Sequence, residues 1–371
     1  MDQKLRDEYF PSFKDISNLN NASEGTPPNS ALEAMKEYFQ GRINGSVTIK
    51  DIISMFTRFY DKIASFIGGL PEEYALMPNT TEGINAAAHS IDYPPGSNIV
   101  IADLEFPANY IPWHNLKQFY DVEIKTVKSK DGAVPIEAFL EKIDNNTRIV
   151  GVSHVQFATG YRTDLKELTG IAHDHGGLIL ADIIQSAGAL DLNVKKLNLD
   201  FAAGQATKWL LGPIGAGFLF VNENIIDQVK PRFAGWWGVE DMENFSYMER
   251  EFLPNAKKFQ VGSPAIVCYY GFLESLEFLN TFAAKDREFM ALNVADYLRE
   301  KLEDIGINYF EFEPEHRSPI ISCKPVDLKD LHKQLVKNKI FTSVRGGRLR
   351  ISPHFYNNQQ EIDKLIEIIS Q

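Results

Sequence analysis

Lys208 stands in the stretch GQATKWLLGPIGAG, with Trp209, Leu210 and Leu211 directly after it. A lysine among apolar neighbours holds its proton weakly and becomes a nucleophilic amine. The alternative is a stem laid on apolar surface with the ammonium reaching water. Asp182 closes the apolar run LILAD, where a carboxylate either serves a site or caps the turn that follows. Gln185, three residues on, either projects to the same place or lies in a surface turn. The run Asn79-Thr80-Thr81-Glu82 precedes a helical pattern, GINAAAHSI. Thr at a helix start caps free N–H groups and Glu suits the dipole there. The same helix end, with a hydroxyl beside it, can also seat a phosphate. An amine, a carboxylate and an anion seat together describe one chemistry. Pyridoxal phosphate needs a lysine for its Schiff base, a carboxylate opposite its pyridine nitrogen and a site for its phosphate.

Strands and helices must bring these residues together. Short apolar runs predict strands at Ser97–Ala102, Arg148–His154, Leu178–Ala181 and Gly217–Val221. Residues 164–177 between two of them have helical apolar spacing (Leu165, Leu168, Ile171, Ala172) and stop at Gly176-Gly177. Strand, helix and strand of this length read as a right-handed βαβ unit. The expected class is therefore α/β, with a mainly parallel sheet between helices, and ligands bind beyond the carboxyl ends of such strands. The texture changes after about residue 260. Helical patterns at Ala265–Phe282, Asp286–Leu302 and Gln359–Ile369, with strands near Pro319–Cys323 and Arg348–Ile351, predict a smaller α+β domain. The expected division is residues 15–260 and 261–371, with residues 1–14 packing on the second part.

The chain has 371 residues, with 38 Lys and Arg against 50 Asp and Glu, a net charge of −12. An acidic surface repels phosphate backbones, so neither nucleic acid nor an anionic membrane is expected as the main partner. No apolar run approaches the ~20 residues that span a bilayer. The N-terminus has no apolar stretch of signal-peptide type. Cys268 and Cys323, the two cysteines, give neither a disulfide framework nor zinc spacing. A reducing, cytoplasmic setting fits. His173 and His175 stand at i and i+2, which do not share a helix face, so no metal site is expected. The glycines at 212, 215 and 217 follow no suitable strand and open no helix, and SNIVIADLEFPAN lacks a Gly-rich turn; both argue against a nicotinamide dehydrogenase.

From LNNASEGTPP (19–28) to RLRISPHFYN (348–357) the sequence resembles the class V aminotransferase group of fold-type I pyridoxal-phosphate enzymes. That group includes cysteine desulfurases, kynureninase, isopenicillin N epimerase and true aminotransferases. The resemblance implies that Lys208 is the Schiff-base lysine and Asp182 the partner of the ring nitrogen. It places Gln185 at the ring hydroxyl or the aldimine region, Thr80 and Thr81 at the phosphate, and Phe106 of EFPANYIPW stacked on the ring. Gln205 and Thr207 fall where the family has a Ser and a His or Tyr before the lysine. Phe157 of HVQFATG replaces an asparagine near the ring hydroxyl. Ser263 of VGSP and Trp236 of GWWG match contacts made to the cofactor of a neighbouring subunit, which implies a homodimer with sites at its interface. Arg350 matches the arginine that holds the substrate carboxylate as a fork, and Arg345 of SVRGG stands close to help.

The departures from the pattern narrow the activity. Cysteine desulfurases stack a His where Phe106 stands, and carry a reactive Cys on the loop before the carboxylate arginine. SVRGGRLR has none, so a desulfurase relay is not expected. The leading expectation is an aminotransferase for a small amino acid. The alternatives are a carbon–sulfur or carbon–carbon lyase, of cysteine-lyase or kynureninase type, and then an epimerase. A ligand-binding relative without catalysis is disfavoured, because a scaffold needs none of Lys208, Asp182 and Arg350.

Overall fold

The protein is described by a computed structural model that covers residues 1–241 and 249–370. Helices of the first part are α1 (Gln3–Tyr9), α2 (Asn29–Asn44), α3 (Ile49–Ile67), α4 (Thr80–Ala88), α5 (Ile111–Leu116), α6 (Ile136–Leu140) and α7 (Leu165–Asp174). Its strands are β1 (Ser17–Asn18), β2 (Tyr74–Met77), β3 (Ser97–Ala102), β4 (Val122–Val127), β5 (Thr147–Ser153), β6 (Leu178–Asp182), β7 (Phe201–Gln205) and β8 (Gly217–Val221). Then come α8 (Ile266–Leu279), α9 (Ala284–Asp304), β9 (Ile321–Cys323), α10 (Leu328–Lys337), β10 (Ile340–Phe341), β11 (Ser343–Arg345), β12 (Arg348–Ile351) and α11 (Gln359–Ile369).

Seven strands form the central sheet in the order β2-β8-β7-β6-β5-β3-β4. From β7 to β4 every neighbour is parallel, and β8 alone runs against both of its neighbours. The carboxyl ends of β2, β3, β5, β6 and β7 therefore share one edge. β6 and β8 read as continuous apolar runs because helices cover both faces of the sheet. One core holds Val100, Val150, Ile179 and Phe218 on one face of the sheet, and the other holds Ile99, Ile149, Leu180 and Leu219. Thr48 and Asp51 close a capping box at the start of α3, whose Ile52, Met55, Phe56, Phe59 and Ile63 line a single buried stripe.

The predicted strands and helices fall within a few residues of those observed. α8 packs on α2 and α3, and its Tyr269, Phe272 and Leu276 lie in the core of the main sheet. A separate core holds Leu298, Leu302, Ile321, Leu335, Leu349 and Leu365. The main core also takes in Ala291 of α9 and Phe355 and Tyr356 near the C-terminus, and the second core takes in Leu19. The N-terminal segment serves both parts. Phe10 and Phe13 join the large core, Arg6 pairs with Glu361 of α11 at 2.9 Å, and β1 pairs in parallel with β10.

Candidate active site

A cavity of about 190 Å³ opens at the shared strand edge. Lys208 enters it from the turn after β7, Asp182 from the end of β6 and Ser153 from the end of β5. Phe106 follows β3, and Thr80 and Thr81 begin α4 after β2. Gln185, Gln205 and Phe157 complete the predicted residues on its wall. The strand edge thus collects residues scattered from position 80 to position 208.

Burial dominates the electrostatics. It pushes the Asp182 carboxyl well above the ordinary carboxylate range, and the Ile184 N–H at 3.0 Å and the Lys208 charge work against it. Burial also pushes the Lys208 amine well below that of a free lysine; the attraction of Asp182 opposes this, and Arg350 and Arg345 add to it. Lys208 Nζ makes no hydrogen bond or ion pair among the described residues and lies 5.7 Å from the centroid of the Phe106 ring. The neutral amine, whose lone pair can form a covalent bond, is thereby reached more readily than in a free lysine.

The turn that carries Lys208 is gripped by residues 22–25. Gly25 N–H donates to Thr207 C=O at 2.8 Å, and a Cβ at position 25 would stand 2.0 Å from the Lys208 carbonyl oxygen. Leu211 adopts a left-handed φ of 55° as the chain turns back.

At the helix end the cap is Asn79, whose side chain accepts from Glu82 N–H at 2.9 Å. Thr80 and Thr81, expected as capping residues or phosphate ligands, are thereby free of capping duty. Thr80 Oγ1 is buried on the cavity wall without a partner. Gln205 Oε1 accepts from Thr80 N–H at 3.2 Å, and Gln205 Nε2 donates to Thr207 Oγ1 at 2.8 Å. Gln185 faces the cavity, but its amide is engaged: Nε2 donates to Ala22 C=O at 3.0 Å and Oε1 accepts from Trp209 Nε1 at 2.9 Å.

Arg350 on β12 is almost wholly buried behind Phe157. Its guanidinium donates to Phe157 C=O at 2.8 Å, Ser343 Oγ at 3.1 Å and Ser23 Oγ at 2.6 Å, leaving N–H groups over. Arg345 reaches the same Ser23 hydroxyl at 3.4 Å. Neither guanidinium has a carboxylate within ion-pair distance among the described residues; Arg350 is buried and Arg345 is exposed to water. Trp236 and Ser263 do not join this cavity. Ser263 lines a second one of about 220 Å³ beside Glu82, Gly215 and Trp237, and Trp236 is 48% exposed. His173 pairs with Asp200 at 2.8 Å, and His175 Nδ1 lies 3.0 Å from Ile171 O.

Three residues missed in the sequence belong to the site. Ser23 joins the two arginines, Ser153 lines the cavity, and Glu105 accepts four hydrogen bonds directly behind Phe106. For Glu105 the available signal was a carboxylate between Leu104 and Phe106, just beyond the end of β3.

An unpartnered amine, an uncapped threonine hydroxyl at a helix N-terminus and a buried carboxylate fit pyridoxal phosphate. With a seven-stranded, mostly parallel sheet and a C-terminal α+β part, they define a fold-type I pyridoxal-phosphate enzyme, a transferase or lyase. The chain belongs to the class-V aminotransferase family, whose profile matches residues 17–365. An uncharacterised aminotransferase, YcbU, of Bacillus subtilis is 26% identical over 98% of this chain and 96% of its own. A probable cysteine desulfurase of Methanothermobacter thermautotrophicus is 28% identical over 98% and 96%. The solved cystine C–S lyase C-DES, in complex with its product cysteine persulfide, superposes with a TM-score of 0.89 at 21% identity, covering 98% of this chain and 99% of that one. Among the described residues no helix is long and apolar enough to cross a membrane.

Proposed function

We propose that the protein is a pyridoxal-phosphate-dependent carbon–sulfur lyase acting on a small sulfur-bearing α-amino acid by β-elimination. The observation that carries this reading is the location of the chain's two thiols. Cys323 is wholly buried in the C-terminal core, where burial pushes its thiol up to about 12. Cys268 lies half-buried on α8 beside Gly215, with its thiol also raised by burial. A desulfurase relay needs an ionised thiol in reach of the substrate sulfur. Here the sulfur leaves with its own fragment. The desulfurase relatives and the C–S lyase fold likeness favour this over the aminotransferase expected from the sequence.

The residues that would hold the cofactor are Lys208 by a covalent bond, Thr80 and Thr81 with the α4 end at its phosphate, Asp182 at its ring nitrogen and Phe106 over its ring. Gln205 and Thr207 steady the phosphate end and Phe157 walls the cavity. Gln185 acts from its bonds to Ala22 and Trp209. When bound, pyridoxal phosphate supplies an electron sink for the substrate α-carbon. Arg350 takes the substrate carboxylate, with Arg345 and Ser23 alongside. Lys208 Nζ, once free, takes the α-proton, for which its lowered proton affinity suits it. The Cβ–S bond breaks and the electron pair leaves with sulfur, which Lys208 or water then protonates. Loss of ammonia by hydrolysis leaves the keto acid. Burial favours a protonated Asp182, and a cationic ring nitrogen beside it would hold its carboxylate charged. Ser263 and Trp236 act in the site of a second copy, so the working form is a homodimer.

The test is incubation of the purified, cofactor-loaded protein with cystine or cysteine, without any keto acid. Pyruvate, ammonia and a sulfur product should accumulate over many turnovers. One turnover that halts until a keto acid is added, with no sulfur released, overturns the lyase and establishes transamination, the second reading, which the likeness to YcbU favours.

A further inference from the structure

Phe106 has little to hold it. Its ring is 43% exposed and meets Phe157 edge-on at 5.0 Å. Immediately before it, Glu105 is buried at 6% exposure with no cation within ion-pair distance among the described residues. Four donors surround its carboxylate. Ser153 N–H and Gln156 Nε2 reach Oε1, each at 2.9 Å. Asn109 Nδ2 reaches Oε2 at 2.8 Å, and the Ser153 hydroxyl donates to the same oxygen. Four N–H and O–H donors match the lone pairs of an ionised carboxylate, whereas an apolar or neutral side chain would strand them. Burial raises the proton affinity of Glu105, and these bonds oppose it.

The four bonds run to the end of β5, to Gln156 in the loop that follows it and to the turn after Phe106. Ser153 ends β5 and stands opposite Asp182 in the sheet register. Asn109 closes the short turn after Phe106, and accepts in turn from the indole N–H of Trp113 at 3.0 Å. Trp113 packs on the bare backbone of Gly151. A rigid chain thus runs from the sheet through Glu105 to both sides of Phe106.

We propose that Glu105 is a positioning residue: its buried carboxylate ties the Phe106 turn to the end of β5 and sets the angle at which Phe106 lies over the Lys208 cavity. This rests on the reading of Phe106 as the ring that covers the cofactor. Its charge also acts on Asp182, whose proton affinity it raises.

A double-mutant cycle tests the proposal through pyridoxal phosphate affinity and the induced circular dichroism of the bound cofactor. Phe106→Leu should weaken binding about tenfold and diminish the dichroism. Glu105→Gln should do the same, and Glu105→Gln added to Phe106→Leu should cost little more, since both act through one ring. Asn109→Ala, which breaks the chain at a residue outside the cavity, should show the same non-additivity with a smaller effect, and serves if Glu105→Gln does not fold. Effects of Glu105→Gln or Asn109→Ala that add in full to those of Phe106→Leu overturn the proposal. So does a lowered melting temperature with affinity and dichroism unchanged. If Phe106→Leu itself changes neither signal, the reading of Phe106 fails, and the positioning role fails with it.

Discussion

Lys208 is unusual as a buried cation without a bond, and that isolation gives the first prediction. Lys208→Ala should fold, because no described hydrogen bond or ion pair is lost with the amine. It should show no covalent cofactor by mass or visible absorption. Turnover should fall by about 10²–10⁴ or more, the range attributed to a general base. A variant that still binds pyridoxal phosphate covalently would sink the assignment. Arg350 makes the second. Its planar fork already touches three oxygens and leaves N–H groups for a carboxylate, a geometry Lys cannot copy. Arg350→Lys loses charge-assisted bonds worth about 1.5–3 kcal/mol, so KM should rise roughly ten- to a hundredfold. An unchanged KM would remove Arg350 from the substrate. Lys208 was legible in the sequence as a cation in an apolar setting, and Arg350 only through the resemblance to the family. Glu105 and Ser23 were not, since their duty is to other side chains brought close only by folding.

At the scale of elements, the strand edge does the assembling and residues 22–25 do the gripping. A methyl group at position 25 would meet the Lys208 backbone first, at 2.0 Å, and Leu211 Cδ2 at 2.8 Å, so moving a side chain cannot relieve Gly25→Ala. Overpacking of this kind costs about 1–3 kcal/mol or more. Thermal denaturation should show the loss, with weaker cofactor retention, whereas Gly170→Ala in α7, with open space around it, should be neutral or slightly stabilising. Equal behaviour of the two variants would refute the grip. The pair His173–Asp200, which joins the end of α7 to β7, predicts a pH dependence. The bond to Asp200 raises the proton affinity of His173. A raised folded pKa means that the pair stabilises fully below the unfolded value of about 6.5 and that this is lost as pH rises through the folded value. The difference in urea midpoint between the wild type and His173→Gln should therefore be larger at pH 5.5 than at pH 8.5 (both about a unit or more from the unfolded value). A difference independent of pH would mean that His173 contributes packing alone. The helices and strands themselves were readable from apolar period and capping residues. The surface that α8 covers was not, because a continuous apolar helix does not say where it will pack.

For the whole molecule, the second cavity, lined by Val261 and Ser263, has exposed apolar residues beside it in the chain: Ile214 is 72% exposed, Val261 47% and Trp236 48%. In the proposed homodimer a second copy covers this face and takes Ser263 into its own site, an arrangement an isologous interface repeats in both copies. Mixed dimers give the test. Lys208→Ala and Ser263→Glu should each be inactive alone. If Ser263 serves its partner, a heterodimer of the two holds one site with both lesions and one with neither. Random mixing should then restore about a quarter of wild-type activity. Restoration near zero would place Ser263 in its own chain's site, and a Ser263→Glu protein active by itself would place it in none.

The kinds of chemistry were present in the sequence: a lysine among apolar residues, a carboxylate closing a strand and threonines opening a helix, all in an α/β pattern that puts strand ends together. Local sequence carries this much because side-chain type, apolar period and capping are properties of a few neighbouring residues. Only the tertiary structure decided which groups are already bonded, and hence which are free to react. It engaged Gln185 with Ala22 and Trp209, freed Thr80 from capping, left Lys208 unpaired and set Glu105 beneath Phe106. Those outcomes depend on distances between residues far apart in the chain, and burial at the strand edge is what gives each of them its energetic weight.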